Sequence, residues 1–333
     1  MAVARKNMHA KKVFGMRNKD GKLNKKGIFF TFIAIGLVSL VVYSFVIHIG
    51  YIYRDSMFVI ETRVNTISSF IKDVEVDINR GFYISSFRAL LAIQSNIASN
   101  QSFIPDVEAA FEEALFNSTV RNESNHLIVN ASFTDWVEKI QEEADKIDLA
   151  VNITAQNVTL NQSGPWTINA EMDILINITD KKKTAYWVRH KHITTHLDIE
   201  GFEDPVYSQS TYGKVTTSIK QANSTNFNDL DVLKEHISNS YYIESERAPS
   251  FLMRMEGNLS NSSMGIESIV NYNKLLVQGI TPKTTSMVDY IYFANGTVSS
   301  CKINETNNES NHDWFRLDDT DNYHLNKYDV TCN

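Results

Sequence analysis

From Ile28 to about Tyr53 the chain carries no Asp, Glu, Lys or Arg. That run constrains the fold more than any other feature. A helix needs about 20 residues to cross the hydrocarbon core of a bilayer, and this run supplies 26. A secretory signal peptide has an apolar region of only about 7–15 residues, followed by a small-residue cleavage site. Neither condition is met here. Tyr51 and Tyr53 stand where an outer aromatic belt would lie, and Arg54 and Asp55 close the run. The expectation is one transmembrane helix over residues 28–53, in contact with membrane lipid.

Charge sets the expected orientation. Residues 1–27 hold nine Lys/Arg and one Asp, about +8, whereas the other 306 residues sum to −15. A basic flank before an apolar helix is cytoplasmic under the positive-inside rule, so residues 100–333 are expected outside the cell membrane, as the C-terminal side of a single-pass protein. An acidic body also argues against nucleic acid as a partner, since phosphate must be met by a basic face.

Fourteen Asn-x-Ser/Thr sequons follow, at Asn100, Asn117, Asn122, Asn130, Asn152, Asn157, Asn161, Asn177, Asn223, Asn258, Asn261, Asn295, Asn304 and Asn308. Chance would give roughly five for this composition. No sequon precedes Asn100, although six Asn lie there. The distribution fits N-glycosylation of an extracellular domain. Cys301 and Cys332 are the only cysteines. Outside the cell an even pair is read as one disulfide, closing a loop worth roughly 3–4 kcal/mol in the chain-entropy model, with two free thiols as the alternative.

Residues 54–99 have the pattern of one long amphipathic stalk helix. Ile60, Val64, Ile67, Ile71, Val74 and Ile78 recur at alternating spacings of four and three, on one seam. The seam fits a helix lying on its own domain or one packing between subunits. Gly81 is expected to kink it or shift its register. Beyond Asn100, "IPDVEAAFEEALF" and "FTDWVEKIQEEADKI" are expected helices, the second capped by Thr134. "AVNITAQNVTL", "WTINAEMDILINIT" and "AYWVRHKHITTHLDIEGF" are expected strands, with shorter ones at "VTTSIK" and "VDYIYFA" and a helix at "FNDLDVLKEHI". Residues 100–333 are therefore expected to form one α+β domain with an antiparallel sheet.

Candidate chemistry is sparse. His190, His192 and His196 share one face of a strand with Asp198, a set that could hold a metal, but Ile193, Leu197 and Ile199 mark the opposite face as the buried one. A solvated polar face is the simpler reading, so no metal or cofactor is expected. "DDTDN" (Asp318–Asn322) lacks the glycine and terminal glutamate of an EF-hand loop and is read as a helix cap before Tyr323. Trp136, Trp166, Tyr186 and Trp187 could line a sugar-binding surface or pack in the core. No nucleophile elbow, His-Glu-x-x-His or phosphate loop occurs, so enzymatic activity is not expected.

Lys25-Lys26-Gly27 directly before Ile28 resembles the class III signal of type IV pilins and their archaeal relatives. The resemblance implies cleavage between Gly27 and Ile28 by a prepilin-type peptidase, with the apolar helix retained. It also implies self-assembly, or packing with other pilin-like subunits, through residues 28–99. The fifth mature position, glutamate in many pilins, is Phe32 here, a departure that bears on filament assembly more than on cleavage. The large head is more similar to a minor pilin or pseudopilin. "PSFLMRMEGNLSNSSMGIESIVN" (Pro249–Asn271) and "VDYIYF" are similar to uncharacterised archaeal surface proteins. An uncleaved anchor bearing a ligand-binding ectodomain remains the alternative.

Overall fold

A computed structural model describes residues 25–183, 185–294, 296, 298–304 and 312–333. The basic leader up to Asn24 lies outside the described residues. The chain divides into two compact units, Met1–Ile67 and Ser68–Asn333. Helix α1 (Lys25–Asn100) contributes to both.

In the first unit, Gly27–Tyr51 is the one stretch among the described residues long and apolar enough to cross a membrane. All 25 of its residues are exposed. A helix satisfies its own backbone hydrogen bonds, so such a segment needs only an apolar surrounding.

The second unit is mixed helix and sheet. The last part of α1 is followed by α2 (Val107–Asn117), a short ribbon of β1 (Thr119–Val120) and β2 (Glu123–Ser124), and α3 (Phe133–Lys146). Three long strands then form an antiparallel meander in the order β3-β4-β5: β3 (Leu149–Gly164), β4 (Thr167–Asp180) and β5 (Tyr186–Asp198). Alternation is strict along β4, where Ile168, Ala170, Met172, Ile174, Ile176 and Ile178 are all buried. On β3 a bulge between Gln156 and Thr159 shifts the register. The inward positions change there from Leu149, Val151 and Ile153 to Val158 and Leu160.

The rest is built of short pieces: α4 (Pro205–Ser210), α5 (Leu230–Asn239), β6 (Tyr242–Glu244), α6 (Phe251–Glu256), β7 (Ile266–Ser268), α7 (Tyr272–Val277), α8 (Asp289–Phe293), β8 (Ser300–Lys302), β9 (Arg316–Asp318) and α9 (Tyr323–Lys327). β6 pairs with β7 and β8 with β9, both antiparallel. Rings join this half to α1: Phe87 lies edge-on to Phe202 at 5.1 Å, and Phe202 to Phe251 at 5.7 Å. Within this unit Ile71, Val74, Ile78 and Phe82 are buried, each worth roughly 1.5–3 kcal/mol. Ala89, Leu90, Ala92, Ile93, Gln94, Asn96 and Ile97 are buried too, so the end of α1 is covered on most sides. Ile60 and Val64, at the start of the seam, are exposed.

Gly81 lies inside the continuous helix α1; a Cβ there would lie 2.7 Å from the Trp136 indole, so the glycine makes room for that ring. Three local expectations are corrected. The cap of α3 is Ser132, not Thr134. Ser132 Oγ accepts from Asp135 N (3.1 Å), and the Asp135 carboxylate accepts from Ser132 N (2.9 Å), satisfying two otherwise open donors. "VTTSIK" is not a strand: it makes one isolated bridge, Ser218 to Glu203. "VDYIYF" forms α8, because a helical turn buries Asp289, Tyr290 and Tyr292 together where a strand would part them.

Replacing Gly81 by Val should therefore destabilise the second unit by about 1–3 kcal/mol through overpacking. Thermal unfolding followed by tryptophan fluorescence reads this. Adding Trp136→Ala should remove most of the incremental effect of the valine.

Candidate functional site

The residues of the implied processing signal sit in the first turn of α1. Lys25, Lys26, Gly27 and Ile28 all belong to that helix. The Thr31 hydroxyl donates to the carbonyls of Gly27 (3.1 Å) and Ile28 (2.8 Å). Among the described residues, nothing outside the helix's own local backbone lies within 4 Å of a Cβ placed on Gly27. Cleavage there would require this turn to unwind, and glycine eases unwinding by about 1 kcal/mol relative to alanine.

Asn295 and Asn308 lie outside the described residues. Of the other sequon asparagines, Asn100, Asn117, Asn122, Asn130, Asn152, Asn157, Asn161, Asn223, Asn258, Asn261 and Asn304 are exposed, and Asn177 is half-buried. Four of these stand on the three-stranded sheet, and Asn152 lies directly opposite Asn177 on its outer face. Cys301 and Cys332 form a disulfide with Cα atoms 5.5 Å apart, and the neighbouring Ile303–Cys332 bridge ties the C-terminus to β8.

His190, His192 and His196 lie on the exposed face of β5, and Ile193, Leu197 and Ile199 are buried behind it. They do not converge. His192 Nδ1 is 2.9 Å from Asp173 across the ladder, and His196 Nδ1 is 2.7 Å from Asn169. Among the described residues, none of the three belongs to a group of three ligand atoms close enough to hold one ion. Among the described residues, the one group of three ligand atoms close enough to hold a metal is Cys301, Asp319 and Cys332, and its two sulfurs are consumed by the disulfide.

The other candidates also disperse. Asp318 is the last residue of β9 and accepts from Ser286 and His324, each at 2.8 Å. Asp321 pairs with Arg247 and accepts from Tyr323 N (3.0 Å). Asn322 occupies the cap position of α9 with no side-chain cap bond. Trp136 stacks on Phe133 at 5.5 Å, whereas Trp166 donates to Glu244 (2.9 Å) from the β3–β4 turn. Tyr186 and Trp187 lie at the start of β5, Tyr186 exposed.

Sequence reasoning missed the strongest electrostatic feature. Arg254 on α6 is fully buried, as are Asp204 and Asp289. Arg254 Nη1 lies 2.6 Å from Asp204 Oδ2 and 2.9 Å from Asp289 Oδ2, and Nη2 donates to the Ile266 carbonyl. Asp204 also caps α4 through Val206 N (2.8 Å) and accepts from Tyr242 OH (2.8 Å). Asp289 accepts from Ser268 Oγ (3.0 Å) and Tyr290 N (2.7 Å). Two carboxylates thus face one cation. Burial pushes Asp289 above the usual carboxylate range, and Arg254 offsets this only in part. Burial opposes the Arg254 charge, but Asp204 and Asp289 hold its pKa above the usual value. The signal available in the sequence was a lone Arg inside the apolar run "PSFLMRM" and a lone Asp heading "DYIYF".

A second cluster lies on the other side of β7. Glu267 is buried there, with Oε1 3.0 Å from Lys327 Nζ and 3.1 Å from Tyr328 OH, and Oε2 3.4 Å from His324 Nε2. Burial works against the Glu267 charge, but His324 and Lys327 bring its pKa down to about 2. Burial likewise opposes the His324 charge, and its bonds to Asp318 and Glu267 raise it to about 9. His236, buried between Phe227 and Tyr328, makes no side-chain hydrogen bond among the described residues, and burial lowers it to about 4. The first cluster is sealed from solvent and the second is open only at Lys327, which suits them to holding short elements together.

Comparison with known proteins gives no match: no family model fits the chain, and no characterised protein or solved structure is significantly similar to it.

Arg254→Met should cost about 3–5 kcal/mol in urea unfolding, because it leaves buried carboxylates uncompensated. Arg247→Met, which breaks an exposed pair, should cost far less, because solvent screens it. Stability should peak near pH 6.5. His324, raised from 6.5 to about 9, contributes fully below 6.5 and loses its contribution as pH rises through 9. His236, lowered to about 4, contributes above 6.5 and loses it as pH falls through 4; Glu267 extends the acid loss towards about 2. Unfolding midpoints across this range should show that His236→Phe flattens the acid limb and His324→Asn the alkaline one.

Proposed function

We propose that this chain is a membrane-anchored, N-glycosylated, pilin-like protein of the cell surface, structural or adhesive in role, with its leader in the cytoplasm and its mixed domain outside. One observation carries the reading. A fully exposed apolar stretch, Gly27–Tyr51, follows Lys25-Lys26 directly in one helix, and the later part of the same helix is buried in a mixed domain. An apolar surface of 25 residues needs a covering, and lipid or other copies of such a helix supply it. The exposure of eleven sequon asparagines and the Cys301–Cys332 disulfide support an oxidising, extracytoplasmic setting for the domain.

The seam from Ile71 onwards is used within the domain. Assembly in this reading is therefore confined to residues 28–66, a shorter contact than the sequence pattern alone suggests. Together with Phe32 in place of glutamate, this favours a minor, pseudopilin-like subunit over the main subunit of a filament. A permanently anchored ectodomain that recognises an envelope ligand is the second reading, and the helical conformation at the Gly27–Ile28 peptide bond favours it.

The N-terminal mass of the protein from native membranes separates the two. A mature chain beginning at Ile28 is the expected result, and Gly27→Leu should abolish it. A chain retaining residues 1–27 would sink the pilin-like reading and leave the uncleaved anchor.

A further inference from the structure

Most cations of the second unit are tied to an acceptor. Lys181 meets Asp145 at 2.9 Å, Lys302 meets Asp313 at 2.5 Å, Lys191 donates to the Glu75 carbonyl at 3.3 Å, and Lys283 donates to the Tyr292 carbonyl at 2.9 Å. Three lysines depart from this pattern together. Lys214 and Lys274 line one cleft of about 410 Å³ beside α7, and Lys220 lies close enough for its charge to act on Lys274. Among the described residues, none of the three ammonium groups has a carboxylate or carbonyl partner. This happens in a region whose overall charge is strongly negative, so carboxylates are not scarce. Thr216 and Gln278 line the same cleft with an uncommitted hydroxyl and amide.

We propose that this cleft binds a multiply charged oxyanion, of the phosphate or polycarboxylate class. Like charges held together without a counter-charge repel, and an anion between them turns that repulsion into attraction. Lysines present rotatable point charges, which suit an oxyanion of no fixed planar geometry. A positive cleft in an acidic surface also concentrates anions locally. Burial lowers the Lys274 pKa, and the Lys220 charge lowers it further, the state expected of a cation whose partner is a ligand. The site goes beyond the anchoring role and does not rest on it.

The test is thermal unfolding of the full chain in detergent, titrated with inorganic phosphate and separately with citrate, against sodium chloride at matched ionic strength. Phosphate, citrate or both should raise the midpoint beyond the salt control. Lys220→Gln/Lys274→Gln should leave the anion-free midpoint equal or higher, because repulsion is removed, and weaken the apparent affinity at least about tenfold. Lys214→Gln, on an exposed turn, should weaken it in the same direction without touching the fold. No rise beyond the salt control with either anion would overturn the proposal. So would an equal rise in the variants, or a double variant that is less stable without anion.

Discussion

Burying one guanidinium between two carboxylates is the constraint on which the C-terminal half depends. Arg254 reaches Asp204 before α4, the Ile266 carbonyl at the start of β7, and Asp289 at the head of α8. Those elements are three to six residues long, too short to be stable alone. The cluster gives each of them a fixed point. Its desolvation cost is offset only while the guanidinium and both carboxylates stay in register. The cluster joins two segments apart in the chain, Pro249–Asn271 and "VDYIYF".

β7 shows how compact the arrangement is. Ser268 and the Ile266 carbonyl serve the Arg254 side, while Glu267 turns to His324, Lys327 and Tyr328. Alternation along three residues links two polar clusters, with Leu317, Phe315 and Tyr328 among the apolar residues packed around them. The disulfide and the Ile303–Cys332 bridge then fasten the chain end to β8. Stability in this half comes from a few directed contacts, in contrast to the long sheet, where a continuous apolar face does the same task.

The legible parts of the fold were those governed by period. Alternation along Ile174, Ile176 and Ile178 marked β4 and its inward face, and the seam through Ile71, Val74 and Ile78 marked α1. The illegible parts were governed by partners distant in sequence. The reason for Gly81 is visible only with Trp136, 55 residues away, whose ring leaves no room for a Cβ there. "VDYIYF" has strand propensity, but Asp289 must meet Arg254, and a helix brings it there. For the candidate site, exposure of the histidine face was readable from Ile193 and Leu197. The lysine cleft was not, because Lys214 and Lys274 are separated by 60 positions and share no motif.

The central claim is that the apolar helix holds an acidic mixed domain outside the cell. A membrane-impermeant amine reagent applied to intact cells tests it most directly, read by peptide mass mapping. Exposed domain lysines such as Lys146, Lys181 and Lys182 should be labelled on intact cells. Lysines of any retained leader, such as Lys11 and Lys12, should react only after the cells are opened. Labelling of the leader on intact cells, with domain lysines protected until opening, would contradict the account.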